Sequence, residues 1–262
     1  SYPSNRICKS AFNTRDLLIM KHIIVTTLLL SSFSNHADVL SVHCPQGCPT
    51  SPEGNDLVFA HLYALSNDPQ TKFADWVAYE VSPVNFGPSP GRDWASDPLL
   101  DEDETLEEKD YKGANRALKV DRGHQAPLAS FAGNQYWYEL NYLSNITPQA
   151  SDLNQGAWVE LETAVRDAAE FRDSLFVITG PYYEQNSRSM PQADESHKVP
   201  AGYFKIVSDK DGNSVAFLMD QDTERDTNYC SMIKPISAIK SKVEFDFPAI
   251  TFSQAIKTRL NC

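Results

Sequence analysis

The stretch from Asp121 to Arg166 most constrains what this chain can fold into. It is rich in side chains that bind metals, phosphates or protons, yet apolar segments lie on both sides of it. Polar groups set among apolar ones stabilise a fold only when each of them has a partner. We therefore expect the rest of the chain to be a scaffold that arranges this stretch around a site.

Short apolar runs bounded by turn residues predict a sheet before and after this stretch. Residues 57–65 and 73–81 form a predicted hairpin with its turn at 66–69, and strands are also predicted at 175–181, 201–207 and 214–219. Residues 135–143 fit either a strand or a short helix, and 236–260 mix both signals. Since there are no repeats and no linker, we predict one α+β domain with a largely antiparallel sheet flanked by helices.

A helix is predicted from Gly156 onward. Apolar residues there recur at spacings of three, four and three and form one stripe: Trp158, Leu161, Val165 and Ala168. Glu162 and Arg166 are one turn apart, to one side of the stripe, and Asn154 lies at the helix start near the same side. The helix should therefore bury its stripe and present these polar side chains together.

The first 37 residues are expected to lie outside the folded domain, which we place at 38–262. A basic start at Met20, an apolar run at 23–30 and small or polar residues up to Ala37 have the layout of a secretory signal peptide. The apolar run is far shorter than the roughly 20 residues that span a bilayer. Cleavage is expected after Ala37, with Ser34 as an alternative. Residues 1–19 are interpreted as an upstream artefact, and the protein as secreted or periplasmic.

Four cysteines fall in the expected domain: Cys44, Cys48, Cys230 and Cys262. An even number in an exported protein suggests two disulfides, for which there are three pairings. The short turn-forming segment 44–48 makes local closure easiest, which leaves Cys230 for Cys262. A zinc site with His43 is the alternative, but its spacing is wrong and a second ligand pair is lacking.

The chain is acidic, with a formal net charge of −12 at pH 7, which argues against a broadly basic nucleic-acid-binding surface. Much of the excess lies in residues 97–110, where eight acidic residues accompany Lys109. We expect a solvated acidic loop, the usual meaning of such a run. A divalent-cation site is the alternative, although the spacing does not fit a known calcium loop.

Five side chains in and near the central stretch suggest phosphodiester hydrolysis. His124 can accept a proton near neutral pH, and Asn154 offers a neutral oxygen to a hydrated Mg²⁺. Glu162 could hold waters of that ion, and Arg92 and Arg166 could balance phosphoryl charge. Each has an ordinary structural alternative: a buried histidine, a capping asparagine, or a helical Glu–Arg pair.

Taken together, three ordered motifs resemble the DNA/RNA non-specific endonucleases, of the secreted Serratia type within the ββα-metal superfamily. They are DRGHQAPLA at 121–129, YLSNITPQ at 142–149, and DLNQGAW at 152–158 followed by Leu161 and Glu162. The likeness is strongest from Arg92 to Pro181. The two cysteine pairs also look like the two disulfides of that family.

The resemblance implies a role for each matched residue. His124 would be the general base, Asn154 the one direct protein ligand of a largely hydrated Mg²⁺ that Mn²⁺ could replace, and Glu162 the anchor of its waters. Asp121 would orient the site. The remaining roles concern the substrate: Arg92 would stabilise the transition state, Arg122 and Arg166 would contact the phosphate backbone, and Asn145 and Gln149 would shape the substrate site.

The implied activity is Mg²⁺-dependent, sugar-non-specific hydrolysis of DNA and RNA, single- or double-stranded, to 5′-phosphorylated products. A site that contacts phosphates rather than base edges has no means to read sequence. A catalytically silent nucleic-acid- or inhibitor-binding module on the same fold is the main alternative, and a phosphodiesterase for small substrates is another. No membrane partner is expected, and the oligomeric state is left open, a homodimer included.

Overall fold

A seven-stranded sheet dominates the computed structural model, which describes residues 39–185 and 187–262. The signal segment expected at 20–37 and the preceding residues 1–19 lie outside the described residues. Strands in chain order are β1 Asp56–Phe59, β2 Ala64–Asp68, β3 Phe73–Val81, β4 Val120–His124, β5 Ile146–Ala150, β6 Leu175–Tyr182, β7 Gly202–Ser208, β8 Asn213–Asp220 and β9 Thr251–Phe252. Helices are α1 Ala114–Leu118, α2 Ser151–Leu153, α3 Val159–Ala168, α4 Ile236–Lys240 and α5 Gln254–Arg259.

The large sheet has the order β1-β2-β3-β6-β7-β8-β9. Its pairs are antiparallel except β8–β9, which is parallel. The three strands predicted after residue 175 are confirmed within about two residues at each end. The α+β class and the largely antiparallel sheet are likewise confirmed.

The first predicted strand differs from the structure, because residues 57–65 form two strands rather than one. The chain reverses between Ala60 and Tyr63, whose backbone atoms share a 2.9 Å hydrogen bond, and Val58 then pairs with Leu65. Residues 66–68, predicted as a turn, continue β2 and pair with β3. The reversal contains neither glycine nor proline, so no turn residue marks it in the sequence.

Alternate residues of the sheet pack on opposite sides, as the two-residue period of a strand requires. On one side Val77 and Tyr79 of β3 share a core with the apolar stripe of α3, which is buried as predicted. On the other side Trp76 and Ala78 pack with Ile239, Phe245 and Phe247 of the C-terminal region. The sheet is therefore covered on both faces, and α3 lies against the face that positions the site.

Both predicted disulfides are confirmed. Cys44 pairs with Cys48 at a Cα–Cα distance of 5.0 Å, and Cys230 pairs with Cys262 at 5.4 Å. The described residues form one compact unit. Among them, no helix has the length and apolar character needed to cross a bilayer.

The acidic segment is only partly the solvated loop that we expected. Asp101, Glu102 and Asp103 are exposed, but Asp97 and Asp110 are buried. Asp97 accepts a 2.6 Å hydrogen bond from the hydroxyl of Ser144, which explains its burial.

A small β-hairpin followed by a helix carries the central stretch. Strands β4 and β5 pair antiparallel, from Val120 opposite Ala150 to His124 opposite Ile146. The helix then begins at Ser151, earlier than predicted, and passes through a widened π-type turn at Asn154–Trp158 before α3. Gly156 lies in that turn with non-helical dihedral angles, and a Cβ there would overlap the carbonyl oxygen of Arg225.

Candidate functional site

A cleft of about 650 Å³ opens beside the β4–β5 hairpin and the start of α3. Seven of the nine predicted site residues line it, although they come from segments up to 74 positions apart in the chain: Arg92, Asp121, Arg122, His124, Asn154, Glu162 and Arg166. Neither of the other two, Asn145 and Gln149, reaches the cleft. The hairpin and helix thus bring together most of the predicted site.

His124 ends β4 and is oriented by Asn141. The Nε2 atom lies 3.1 Å from Oδ1 of Asn141, whose Nδ2 donates to the carbonyl oxygen of Gly91 at 3.4 Å. Because Oδ1 is an acceptor in this assignment, Nε2 carries the proton and Nδ1 keeps its lone pair. Burial lowers the pKa of His124 to about 4, with the hydrogen bond to Asn141 opposing and the charge of Arg92 reinforcing that effect. At neutral pH the ring is therefore neutral and can accept a proton.

Asp121 is the centre of a hydrogen-bond network that fixes Asn154. Its carboxylate accepts four hydrogen bonds from side chains: Asn115 at 2.9 Å, Ser151 at 2.8 Å, Asn154 at 3.0 Å and Gln155 at 2.7 Å. Burial raises the pKa of Asp121, but these four bonds together outweigh it and leave the pKa below its usual value. Because Asn154 donates through Nδ2, its amide oxygen is left for another partner.

Glu162 stands on α3 above a buried lysine. Its Oε1 lies 3.8 Å from Nζ of Lys205, a fully buried residue of β7. The same Nζ lies 4.3 Å from the ring centre of Trp158 and 3.1 Å from the hydroxyl of Tyr79. Burial raises the pKa of Glu162, and the charges of Lys205 and Arg166 oppose the rise. Burial has the opposite effect on the lysine, because it disfavours the charged form, and lowers the pKa of Lys205 to about 8.

The three arginines of the cleft are arranged differently. Arg122 lies between the rings of Trp94 and Tyr111, 5.4 Å from each ring centre, and donates to the carbonyl oxygen of Glu108 at 3.2 Å. Arg166 donates to the hydroxyl of Thr163 at 2.8 Å. Arg92 is exposed and makes no hydrogen bond or ion pair within the described part of the chain. Packing thus holds Arg122 in place, whereas the exposed Arg92 is not restrained by contacts of this kind.

Asn145 and Gln149, which were expected to shape the substrate site, are buried and do not line the cleft. Asn145 instead bonds to both backbone groups of Ala126, at 2.8 and 3.0 Å, and so fixes the loop after His124. Gln149 packs against Gly123, where a Cβ would overlap its side chain. Both residues support the site from below, and Gly123 makes room for Gln149 rather than for a ligand.

Comparison with known proteins agrees with this arrangement. The sequence model of the DNA/RNA non-specific endonucleases matches residues 41–254. This chain belongs to that family. A nuclease from Serratia marcescens is 41% identical over 229 residues, an alignment that covers 85% of this chain and 86% of that protein. Human mitochondrial endonuclease G is 30% identical over 157 residues, covering 55% of this chain and 52% of that protein.

Structural comparison places this endonuclease in the ββα-metal fold. A solved EndoG/EndoGI complex superposes with a TM-score of 0.64 at 22% identity, covering 78% of this chain and 89% of that one. The β4–β5 hairpin and the helix that begins at Ser151 supply the three elements for which the fold is named. The predicted fold is therefore confirmed.

The cleft of this endonuclease fits a hydrated divalent ion, and nucleases of the family are metal-dependent. The amide oxygen of Asn154 accepts no hydrogen bond from the described residues, while its nitrogen is engaged by Asp121. A single neutral oxygen suits a hard ion that retains most of its water. Glu162, which lines the same cleft, offers the acceptors that such waters need.

Three further residues of the site were missed by sequence reasoning. Lys205 carried a usable signal, because a lysine inside an apolar strand is rarely buried without a role. Asn141 and Trp94 carried none, since each lies in a segment of no regular pattern. Their roles follow from contacts that only the folded chain makes.

Proposed function

We propose that this endonuclease hydrolyses phosphodiester bonds of both DNA and RNA, with His124 as general base and Asn154 as the protein ligand of a divalent ion, Mg²⁺ or in its place Mn²⁺. The observation that carries the proposal is that His124, held through Nε2 by Asn141, and Asn154, whose amide nitrogen is engaged by Asp121, line one cleft. A proton acceptor and an ion ligand that line one cleft are what metal-assisted hydrolysis of a phosphodiester requires.

The chain's own residues would divide the work as follows. His124 accepts a proton from the water that attacks phosphorus in line, and Asn141 keeps its ring oriented. Arg92 and Arg166 balance the charge that grows on the phosphoryl oxygens. The ion, when bound, supplies Lewis-acid stabilisation of the phosphate and the leaving oxygen. Glu162 and Asp121 maintain its surroundings, and the products carry 5′-phosphates.

The breadth of substrate follows from the chemistry of the cleft. Its charged groups suit phosphate, which is common to DNA and RNA in single or double strands, and phosphate contacts carry no sequence information. Arg122 adds a fixed positive charge between Trp94 and Tyr111. Local cationic groups can therefore serve binding even though the chain as a whole is acidic.

Replacing His124 with alanine tests the assignment. We expect the rate of cleavage of plasmid DNA and of RNA to fall by about 10²–10⁴-fold, the usual contribution of a general base. His61→Ala is the matched control, because His61 is exposed, stacks on Tyr136 and does not line the cleft. Cleavage by His124→Ala at the unaltered rate would refute the role of His124.

Comparison of Mg²⁺ with EDTA separates the enzyme from the catalytically silent binding module. We expect cleavage of both polymers with Mg²⁺ and none with EDTA. Binding of nucleic acid without cleavage under either condition would favour the silent module. The comparison uses the unaltered chain, so it tests metal-dependent cleavage separately from the role of His124.

We also propose that the protein is exported and that the mature chain begins near residue 38. The signal-like layout at 20–37 and two disulfides support this, because disulfides persist mainly in oxidising compartments. Mass spectrometry of the protein recovered outside the cytoplasm should give a mass that fits cleavage after Ala37 or Ser34. An uncleaved chain would contradict the proposal.

A further inference from the structure

An acidic cluster outside the cleft joins two segments that are distant in sequence. Glu107 immediately precedes the short 3₁₀ helix Glu108–Tyr111, Asp110 lies within it, and Glu195 comes from the loop before β7. One carboxylate oxygen of each lies within 4.8 Å of the other two. Three like charges at this distance repel one another unless something neutralises them.

Burial distinguishes this cluster from an ordinary acidic surface. Asp110 is fully buried, and its Oδ2 accepts the backbone amide of Glu107 at 2.7 Å. Its Oδ1 and the Oε2 of Glu195 are both inaccessible to solvent and have no hydrogen-bond partner in residues 39–185 and 187–262. A buried carboxylate oxygen without a partner is costly, so two of them in one cluster indicate a missing ligand.

The nearby lysine does not supply that ligand. Nζ of Lys109 lies 2.7 Å from Glu107 and 3.4 Å from Asp194, on the exposed side of the cluster. Within the described residues it forms no ion pair with Asp110 or Glu195. Burial raises the pKa of Glu195, and the charges of Asp110 and Asp194 add to this effect. The cluster therefore retains an excess of negative charge on its buried side.

We propose that Glu107, Asp110 and Glu195 form a second divalent-cation site, separate from Asn154, that binds Ca²⁺. Three carboxylates are the ligands that this hard ion prefers. Calcium–oxygen distances of about 2.3–2.6 Å allow ligand atoms to lie up to about 5 Å apart across the ion, which accommodates the observed 4.8 Å limit.

The position of the site links it to the cleft. Arg122 donates to the carbonyl oxygen of Glu108 and stacks on Tyr111, and both partners belong to the short helix that contains Asp110 and follows Glu107. An ion bound here fastens this helix to the loop that carries Glu195. The ion would stabilise the short helix that contacts Arg122 and would take no part in hydrolysis.

Calorimetric titration of the full chain with Ca²⁺ tests the proposal. The Asn154→Ala variant removes the protein ligand in the cleft, and we expect it to retain one saturable Ca²⁺ site. Adding Glu195→Gln should weaken that binding at least tenfold. Adding Glu102→Gln instead, an exposed acid of the same segment outside the cluster, should leave it unchanged.

Two results would overturn the proposal: no saturable Ca²⁺ binding to Asn154→Ala at millimolar concentration, or equal affinity with and without Glu195→Gln. If Asn154→Ala does not fold, the same titration of the chain with and without Glu195→Gln decides the question, because the proposal requires the stoichiometry to fall by one. Because binding rather than cleavage is measured, the outcome is independent of the role of His124.

Discussion

Replacing Lys205 with methionine removes a positive charge from beneath the active-site helix and preserves most of the side-chain volume. Lys205 is fully buried, with Nζ 3.8 Å from Oε1 of Glu162. We expect the pKa of Glu162, already raised by burial, to rise further once this charge is gone. Arg166 remains as the other cation near Glu162, and the Tyr79 hydroxyl loses its contact with Nζ.

The magnitude follows from the distance. At 3.8 Å and an effective dielectric constant of about 20, the Lys205–Glu162 attraction amounts to about 4 kcal/mol. Desolvation of the buried lysine opposes it by a similar amount, so the free energy of unfolding should change by no more than about 2 kcal/mol. If half of this attraction, about 2 kcal/mol, stabilises the transition state by keeping Glu162 ionised, the rate of cleavage by Lys205→Met at pH 7 should fall about 30-fold.

The assay is the pH dependence of cleavage by the wild-type chain, Lys205→Met, Lys205→Arg and Glu162→Gln. A carboxyl group with a raised pKa is charged only above that pKa, so Lys205→Met should recover activity as pH increases. Lys205→Arg keeps the charge and should retain most of the rate. Lys205→Met should add little in the Glu162→Gln background, since the two act through one group.

A loss that is independent of pH, or that is equally large in the Glu162→Gln background, would refute this reasoning. Urea unfolding of each variant distinguishes a loss of cleavage rate from a loss of folding stability. A merely structural role for Lys205 would lower the free energy of unfolding without moving the pH profile.

Three other expectations can be checked with similar means. Gly156→Ala should lower the free energy of unfolding by about 1–3 kcal/mol, because its Cβ would overlap the carbonyl of Arg225; unchanged urea unfolding would contradict this. Asn141→Ala should reduce kcat about tenfold with little change in KM, because Asn141 orients the proposed base rather than the substrate. An unaffected kcat would contradict this positioning role. The three arginines proposed to contact phosphate predict a slope of about −3 when the logarithm of the binding constant for duplex DNA is plotted against that of the salt concentration. In Arg92→Ala the magnitude of this slope should fall by about one unit, and a flat profile would exclude binding driven by phosphate.

The sequence was most informative where function requires particular side chains at particular spacings. The motifs around His124 and Asn154 carry the resemblance that implied the ββα-metal fold and nine site residues, seven of which line the cleft. The apolar stripe of α3 was equally clear, since burial of one helix face enforces a regular period.

Sequence reasoning failed where long-range contacts decide the outcome. The reversal at 60–63 is set by pairing between Val58 and Leu65, not by a turn residue. The burial of Asn145 under the loop after His124 could not be read from its motif, because a polar residue in a motif suggests an exposed role. The contact of Lys205 with Glu162 joins residues 43 positions apart and depends on how α3 lies on the sheet.

The saturated carboxylate of Asp121 has a consequence for how tightly the cleft can retain an ion. Four donors occupy the acceptor positions of that carboxylate, so it is in no position to coordinate metal directly. In the proposed site the protein then contributes one neutral oxygen, from Asn154, and substrate phosphate would be the strongest ligand of the ion. Ion and nucleic acid should consequently bind with positive cooperativity, each increasing the affinity for the other by the same factor.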